Sequence, residues 1–281
     1  MEIPRTKALV ALNEALGRAP IVAILGPRQC GKTTLARQFA KANPKKEITF
    51  FDLEDPRDIS RLENPMLTLE PLDGIVVLDE IQQKPKLFSI LRVLADKDRA
   101  KFLILGSASP HLVKHSSETL AGRVAFLELG GFSLDILKTS DAKRLWIRGG
   151  FPRSFLARSE AASFDWRQDF IRTYLERDIP NLGIQIPPKT LRRFWTMLAH
   201  YHGQLLNASE LGKSFGAADT TVRRYLDILT DTFLMRQLKP WHYNTKKRLI
   251  KSPKIFFRDS GIFHSLIGVD SQDGLSVHPK L

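Results

Sequence analysis

Five short apolar runs mark the first half of the chain, and longer amphipathic or polar stretches separate them. The runs are Ile21 to Leu25, Ile48 to Leu53, Ile75 to Leu78, Phe102 to Leu105 and Val124 to Leu129. Short continuous apolar runs that alternate with helical patterns are typical of parallel strands buried between helices. The first half of the chain therefore predicts an α/β domain built on a parallel sheet.

The pattern changes after Gly149 and Gly150, where charged helical segments with aromatic faces replace the strands. The clearest of these segments runs from Phe164 to Arg177. A length of 281 residues also exceeds the usual size of a single domain. We therefore predict a first domain over residues 1–150, a helical lid or connector over 151–205 and a third domain over 206–281.

The third domain has the spacing of a helix-turn-helix. Asn207 is a capping residue before a short helical segment, Gly216 provides a turn, and Asp219 caps a longer helix with Val222, Tyr225, Leu226 and Leu229 on its apolar face. Two strand-like runs follow, Phe233 to Leu238 and Ile255 to Phe257, and a basic stretch separates them. This order predicts a winged helix with a charged wing.

The formal net charge of +13 and the isoelectric point near 9.9 favour an anionic partner. Residues 1–150 hold 23 basic and 18 acidic side chains, whereas the rest of the chain holds 20 and 12. The excess of positive charge therefore leans toward the C-terminal part. Nucleic acid is the first expectation and acidic lipid the second, and a generally basic, solvated surface is the alternative explanation.

The single cysteine, Cys30, excludes an intramolecular disulfide and a multi-cysteine metal site, which is consistent with a reducing compartment. The apolar runs are far shorter than the roughly 20 residues that a membrane helix needs, and the N-terminus has no signal-peptide pattern. We therefore expect a cytoplasmic protein with no membrane partner.

A phosphate-binding loop is the most specific motif of the chain. Residues 26–33 match the pattern GxxxxGK[ST] between an apolar strand and an amphipathic helix. Backbone amides of such a loop point at phosphate oxygens, while Lys32 reaches the β- and γ-phosphates and Thr33 binds Mg²⁺. A coincidental glycine-rich turn is the alternative. The predicted nucleotide-binding residues are Gly26, Pro27, Arg28, Gln29, Cys30, Gly31, Lys32, Thr33 and Thr34.

A second motif, at residues 74–80, is an apolar strand that ends in two carboxylates, Asp79 and Glu80. In this arrangement Asp79 binds Mg²⁺, directly or through water, and Glu80 accepts a proton from the water that attacks the γ-phosphate. An Asp-Glu pair after a strand is weak evidence alone. Together with the loop it indicates Mg²⁺-dependent binding and hydrolysis of ATP.

Two further catalytic roles are predicted from position. Ser107 follows another strand and is a candidate sensor of the γ-phosphate, although a serine-rich turn explains it equally well. Arg123 precedes the last strand and is a candidate arginine finger for a neighbouring subunit, with an ordinary surface arginine as the alternative. The second role requires a homo-oligomer.

Basic and hydroxyl side chains in the third domain are candidates for contact with double-stranded DNA. Thr220, Thr221, Arg223 and Arg224 begin the predicted recognition helix. The wing residues Lys246, Lys247 and Arg248 would contact backbone phosphates. Winged helices also serve as protein-docking or lid modules, so a protein partner is the alternative.

These motifs together resemble the bacterial and archaeal AAA-type ATPases of the broader AAA+ class that carry a C-terminal region of uncharacterised function. The resemblance covers nearly the whole chain and rests on residues 26–35, 78–82, 106–107, 122–123, 149–152, 174 with 177–179, 251–254 and 259–261. It implies an extra strand between the two motif-bearing strands, then a helical and winged-helix region. It also implies the roles given above to Lys32, Thr33, Asp79 and Glu80.

Family members usually continue into a further α/β region of nuclease-like character, which would begin near Leu281. We therefore expect a chain that is truncated or naturally short, and we infer no nuclease activity. The leading hypothesis is an ATPase that couples nucleotide state to the position of a basic winged-helix domain. The rivals are a nucleotide-gated DNA- or protein-binding switch with little hydrolysis, and a small-molecule or nucleotide kinase.

Overall fold

The computed structural model describes residues 2–107, 120–181, 186–240 and 252–277. The chain divides into two compact units, Met1–Gly130 and Gly131–Leu281. Neither unit contains, among its described residues, a helix long and apolar enough to cross a membrane.

The first unit is a five-stranded α/β fold. All five apolar runs of the sequence are strands, with ends that lie within two residues of the predicted ones. Its strands are β1 (Ile21–Gly26), β2 (Ile48–Asp52), β3 (Gly74–Asp79), β4 (Ala100–Ser107) and β5 (Val124–Glu128). Its described helices are α1 (Thr6–Arg18), α2 (Lys32–Ala42), α3 (Pro56–Arg61), α4 (Pro65–Leu69) and α5 (Leu87–Ala95), with a 3₁₀ turn at Ile81–Gln83.

The sheet is parallel throughout, in the order β2-β3-β4-β1-β5. Strand β4 therefore lies between β1, which leads into the glycine-rich loop, and β3, which ends in the carboxylates. This confirms the extra strand that the family resemblance implied. Because the strands are parallel, the loop after β1 and the carboxylates after β3 lie at the same carboxyl edge of the sheet.

Both faces of the sheet are buried, as expected for parallel strands. Helices α1 and α2 pack on one face through Leu12, Leu16, Leu35 and Phe39, against strand residues such as Leu103. Strand residues of the opposite parity are equally buried, among them Ile21, Ala23, Val76, Leu78, Phe102 and Ile104. A core covered on both sides holds the carboxyl edge of the sheet in a fixed geometry.

The second unit is mostly helical, as predicted. Its helices are α6 (Ala142–Arg148), α7 (Pro152–Phe155), α8 (Glu160–Thr173), α9 (Ile179–Asn181), α10 (Pro188–His200), α11 (Ala208–Phe215), α12 (Asp219–Asp231), α13 (Ser260–Leu266) and α14 (Gln272–Val277). A π-helical turn at Tyr174–Asp178 links α8 to α9. Two short strands, β6 (Met235–Leu238) and β7 (Lys254–Phe257), form an antiparallel pair.

Helices α11 and α12 lie where the helix-turn-helix was predicted. The Asn207 side chain accepts a hydrogen bond from the Glu210 N–H, and Gly216 adopts a left-handed conformation in the turn. Asp219 is the first residue of α12 rather than its cap, and its side chain accepts from the Thr220 N–H. The predicted wing, including Lys246, Lys247 and Arg248, lies outside the described residues, so the winged helix stays a prediction.

Close glycine contacts tie residues 131–150 to the rest of the second unit. A Cβ at Gly131 would lie 2.5 Å from the Gly150 carbonyl carbon, and the Phe132 N–H donates to the Gly150 carbonyl at 2.6 Å. The Gly150 N–H in turn donates to Asp259 Oδ2 at 2.7 Å. These contacts explain why the compact units divide near Gly130, a boundary that the change of pattern at Gly150 does not reveal. The three-domain division stays a prediction.

Candidate functional site

The loop between β1 and α2 has a tightly curled backbone that requires glycine where it begins. A Cβ at Gly26 would lie 2.0 Å from the Leu129 carbonyl oxygen, so glycine is required where the loop begins. Gln29 and Gly31 have positive φ angles of 61° and 100°. Two left-handed residues within three positions curl the chain, which is the geometry by which such a loop surrounds an anion.

Lys32 lies inside this loop. Its side chain is almost fully buried, and Nζ donates to the carbonyl oxygens of Gly26, at 3.1 Å, and Pro27, at 3.0 Å. Lys32 is also the first residue of α2, whose N-terminal N–H groups lack partners within the helix. The loop therefore combines a cation with a helix N-terminus, and both favour a bound phosphate.

Thr33 and Asp79 meet below the loop. The Thr33 hydroxyl donates to Asp79 Oδ2 at 2.6 Å, and the Glu80 N–H donates to Asp79 Oδ1 at 3.0 Å. Burial raises the pKa of Asp79, and its hydrogen bonds from Thr33 and Glu80 oppose that rise. Two residues that are 46 positions apart in sequence thus present a hydroxyl and a carboxylate side by side.

This pair fits Mg²⁺, which prefers oxygen ligands and is usually bound through one or two carboxylates together with substrate phosphates. Within the described part of the chain, no cluster of three or more His, Cys, Asp and Glu side chains could hold a metal ion.

Glu80 lies next to the pair in a strained backbone position, with a φ angle of 53°. Gln82 Nε2 donates to Glu80 Oε2 and so orients the carboxylate. Burial raises the pKa of Glu80, while the positive charges of Lys32 and Arg28 oppose that rise. A carboxylate with a raised pKa at this edge is suited to accept a proton.

Arg5 supports the loop from outside, and nothing in its sequence context indicated this role. The residue is 4% exposed, and its guanidinium donates to the carbonyl oxygens of Cys30, at 2.6 Å, and Gly130, at 2.7 Å. Burial lowers the pKa of Arg5. Because a trans peptide is planar, a Cys30 carbonyl that points to Arg5 directs the Gly31 N–H the opposite way, away from Arg5.

Cys30 is a packing residue of the loop. The thiol is fully buried, lies 3.3 Å from the Leu129 carbonyl oxygen, and has a pKa raised by burial. A buried thiol with a raised pKa is a poor nucleophile. Thr34, the last of the predicted loop residues, is an exposed residue of α2.

The two further catalytic candidates lie at opposite ends of the strands. Ser107 is the last residue of β4 and aligns with Gly26, so its backbone is at the loop edge; its side chain lies outside the described part. Arg123 precedes β5 at the amino edge, where its guanidinium pairs with Asp96 at 2.6 and 2.9 Å. The structure therefore brings Ser107, but not Arg123, to the loop of the same chain.

The candidate DNA-contacting residues of α12 are accessible. Thr220, Arg223 and Arg224 are exposed, and Thr221 is half-buried. Helix α12 packs its opposite face into the core of the second unit through Val222 and other apolar residues.

Comparison with known proteins gives the two parts of the chain separate matches. A family model described as an AAA domain matches residues 18–137. A second model, described as a domain of unknown function (DUF8612), matches residues 139–273. The Walker-type ATPase of Pyrococcus abyssi has a similar fold, with a TM-score of 0.66 at 15% identity over 95% of this chain and 96% of that chain.

Two curated relatives are uncharacterised proteins of Mycobacterium tuberculosis and Mycobacterium bovis. Each is 53% identical to this chain over 283 residues. The matches cover 100% of this chain but 64% of each relative, so the chain spans under two thirds of their length. Residues 18–137 are therefore an AAA-type domain by both the family match and the geometry of the loop, and a region that matches a domain of unknown function follows them.

Proposed function

We propose that this protein binds ATP with Mg²⁺ and hydrolyses it. The observation that carries the proposal is the contact of 2.6 Å between the Thr33 hydroxyl and Asp79 Oδ2, directly beside a loop that contains Lys32. A coincidental glycine-rich turn has no reason to bring a hydroxyl and a carboxylate from separate motifs together.

The first unit would hold the triphosphate with its loop amides and with Lys32, and Arg5 would keep the Gly31 N–H directed inward. Thr33 and Asp79 are the residues that would hold Mg²⁺. When bound, Mg²⁺ neutralises negative charge on the phosphate oxygens. This division leaves Glu80 available for the chemical step.

In that step Glu80 accepts the proton of a water molecule that attacks the γ-phosphate, and the hydrogen bond from Gln82 fixes the direction of the carboxylate. Lys32 stabilises the charge that develops on the departing phosphate groups. Ser107 contacts the γ-phosphate or the water from the end of β4. We also propose Arg123 as a finger toward a neighbouring copy, since its position at the amino edge excludes a role within its own site.

Hydrolysis is favoured over a binding-only switch because of Glu80. A half-buried carboxylate with a raised pKa and a left-handed backbone destabilises the folded protein, and a site that only holds nucleotide would not need it. The switch with little hydrolysis is the second candidate, and it would be favoured if Glu80 had no effect on turnover.

We propose that the C-terminal domain binds double-stranded DNA through α12. The exposed Thr220, Arg223 and Arg224 at the start of the helix, and the excess of positive charge in this part of the chain, support this assignment. A cytoplasmic location is consistent with both activities. A protein partner is the alternative occupant of the same helix.

The test of the first activity is steady-state phosphate release from ATP and Mg²⁺, together with nucleotide affinity, for the wild type and Lys32→Ala. We expect measurable turnover in the wild type and nucleotide affinity reduced on the order of 100-fold in the variant, because a charge-assisted contact with phosphate is lost. Unchanged affinity in Lys32→Ala would overturn the proposal.

The test of the second activity is duplex binding as a function of salt. Affinity should fall steeply as salt rises, because each neutralised phosphate releases a counterion. The double variant Arg223→Ala/Arg224→Ala should lower affinity and the salt slope. Lys97→Ala/Arg99→Ala removes the same charge from exposed positions of the first unit and serves as the control. Binding that ignores salt would indicate a protein partner instead.

A further inference from the structure

One cation of the loop has no part in the mechanism above. Arg28 is the third residue of the loop, and its Nη2 lies 2.8 Å from Glu54 Oε1. The side chains are 22% and 43% exposed, so the pair is in contact with solvent. A phosphate-binding loop with an extra arginine held by a carboxylate requires an explanation, because the carboxylate opposes the binding of an anion.

The pair lies at the carboxyl edge of the sheet, where the proposed nucleotide would bind. Glu54 follows β2, whose last residue, Asp52, aligns with Asp79 on the neighbouring strand. Glu54 therefore belongs to the same carboxyl edge as the loop. The charge of Arg28 also opposes the rise in the pKa of Glu80, so the guanidinium lies within electrostatic range of that carboxylate. If Glu80 orients the attacking water, the group next to it is the γ-phosphate.

We propose that Arg28 is the residue by which the loop distinguishes a nucleoside triphosphate from a diphosphate. Glu54 holds the guanidinium in the nucleotide-free state, and the γ-phosphate takes the guanidinium from Glu54 when a triphosphate binds. A diphosphate does not reach the guanidinium, so the Arg28–Glu54 pair stays closed. This inference rests on the proposed nucleotide binding and adds the recognition of the third phosphate.

The relative strengths of the two contacts allow this exchange. An ion pair that faces solvent shifts an equilibrium by about fivefold at most. A guanidinium that binds phosphate through two parallel hydrogen bonds favours binding by roughly 10- to 100-fold. The exchange therefore favours the γ-phosphate, while Glu54 still lowers the affinity for the triphosphate by a small factor.

The experiment measures dissociation constants of fluorescent ADP and of the fluorescent imido analogue of ATP, which is not hydrolysed, with Mg²⁺ present. The variants are Arg28→Ala, Arg28→Lys and Glu54→Gln. Asp73→Asn is the matched control, because Asp73 forms an exposed pair with Arg99 at 2.9 Å at the amino edge of the same sheet.

We expect Arg28→Ala to weaken the binding of the triphosphate analogue by about 10- to 100-fold and the binding of ADP by less than about threefold. Arg28→Lys should recover part of the loss, since it keeps the charge but not the paired hydrogen bonds. Glu54→Gln should tighten the binding of the triphosphate analogue by about two- to fivefold and leave the affinity for ADP unchanged. Asp73→Asn should change neither.

An equal loss of both nucleotides in Arg28→Ala would overturn the proposal, as would a Glu54→Gln variant that binds the triphosphate no better. The underlying function is tested separately by Lys32→Ala. If Lys32→Ala loses both nucleotides while Arg28→Ala binds them as the wild type does, nucleotide binding stands and the discrimination by Arg28 fails. If Lys32→Ala binds as the wild type does, both proposals fail.

Discussion

Both units of this protein bury charged side chains, but the hydrogen bonds of those side chains serve different ends. In the first unit Lys32, Asp79 and Glu80 converge on one edge of the sheet, around a loop with left-handed residues. In the second unit Arg167 is fully buried, and its guanidinium donates to backbone carbonyls. The acceptors are Ser163 at 3.2 Å, Ile147 at 3.0 Å and Gly261 at 2.9 Å.

Asp259 repeats the pattern of the second unit. Its two carboxylate oxygens accept from the N–H groups of Gly150 and Ile262, and burial raises its pKa. The bond from Gly150 links segments that are 109 residues apart in sequence. The comparison teaches that burial and a shifted pKa do not mark a site. A site also needs charged groups of both signs that converge where a ligand can reach them.

The largest expected effect is on the chemical step of the first unit. We expect Glu80→Gln to reduce turnover by about 10²- to 10⁴-fold, because the proposed general base is lost. Nucleotide affinity should change by less than about threefold, since the amide oxygen of glutamine can still accept the bond from Gln82. Single-turnover hydrolysis separates the two quantities. The exposed Glu63→Gln is the control, and equal turnover in both variants would assign Glu80 a structural role.

The matching change in the second unit should affect stability instead. Arg167→Ala removes the donors of the buried Ile147 and Gly261 carbonyls, so we expect a loss of about 2–6 kcal/mol in the free energy of unfolding of that unit. Urea denaturation followed by tryptophan fluorescence measures it. Arg172→Ala, on the exposed face of the same helix, should be neutral. A change of more than about twofold in nucleotide affinity in Arg167→Ala would contradict a purely structural role for Arg167.

Arg5 is a buried arginine of the first unit. Its substitution tests whether it only stabilises the fold, as Arg167 does, or also affects nucleotide binding. We expect Arg5→Ala to raise the KM for ATP by about tenfold with a smaller change in kcat, because the Gly31 N–H loses its fixed direction. Arg5→Lys should restore part of the affinity. The exposed Arg18→Ala of α1 is the control. If Arg5→Ala lowers the stability of the protein but leaves the KM for ATP unchanged, Arg5 has a structural role, as Arg167 does.

The smallest effect concerns pH. Because burial raises the pKa of Glu80, the folded state keeps this proton to a higher pH than the unfolded state. Glu80 therefore opposes folding above its folded pKa, and the penalty disappears below the unfolded value. We expect Glu80→Gln to melt higher than the wild type at pH 8, by a few degrees at about 2–8 °C per kcal/mol. The difference should shrink as the pH falls toward 5. An equal or lower Tm at pH 8 contradicts this reading.

The sequence alone predicts the first unit well, since each of its strands is one continuous apolar run and the loop motif has fixed spacing. The partner of Thr33, Asp79, follows once the carboxyl ends of parallel strands share an edge. Arg5 could not be found in this way, because its two acceptors lie 25 and 125 residues away and have no side-chain signature. Likewise, the glycine contacts at Gly131 and Gly150 depend on tertiary packing.

Arg5 has one more consequence, which is mechanical. A single planar guanidinium holds the Cys30 carbonyl of the loop and the Gly130 carbonyl, and Gly130 is the last residue before the chain leaves the first unit. Tension applied to the chain beyond Gly130 therefore acts on the peptide that aims the Gly31 N–H. The same guanidinium holds the glycine-rich loop and the point where the chain continues into the second unit. A force on that connection would therefore also act on the loop.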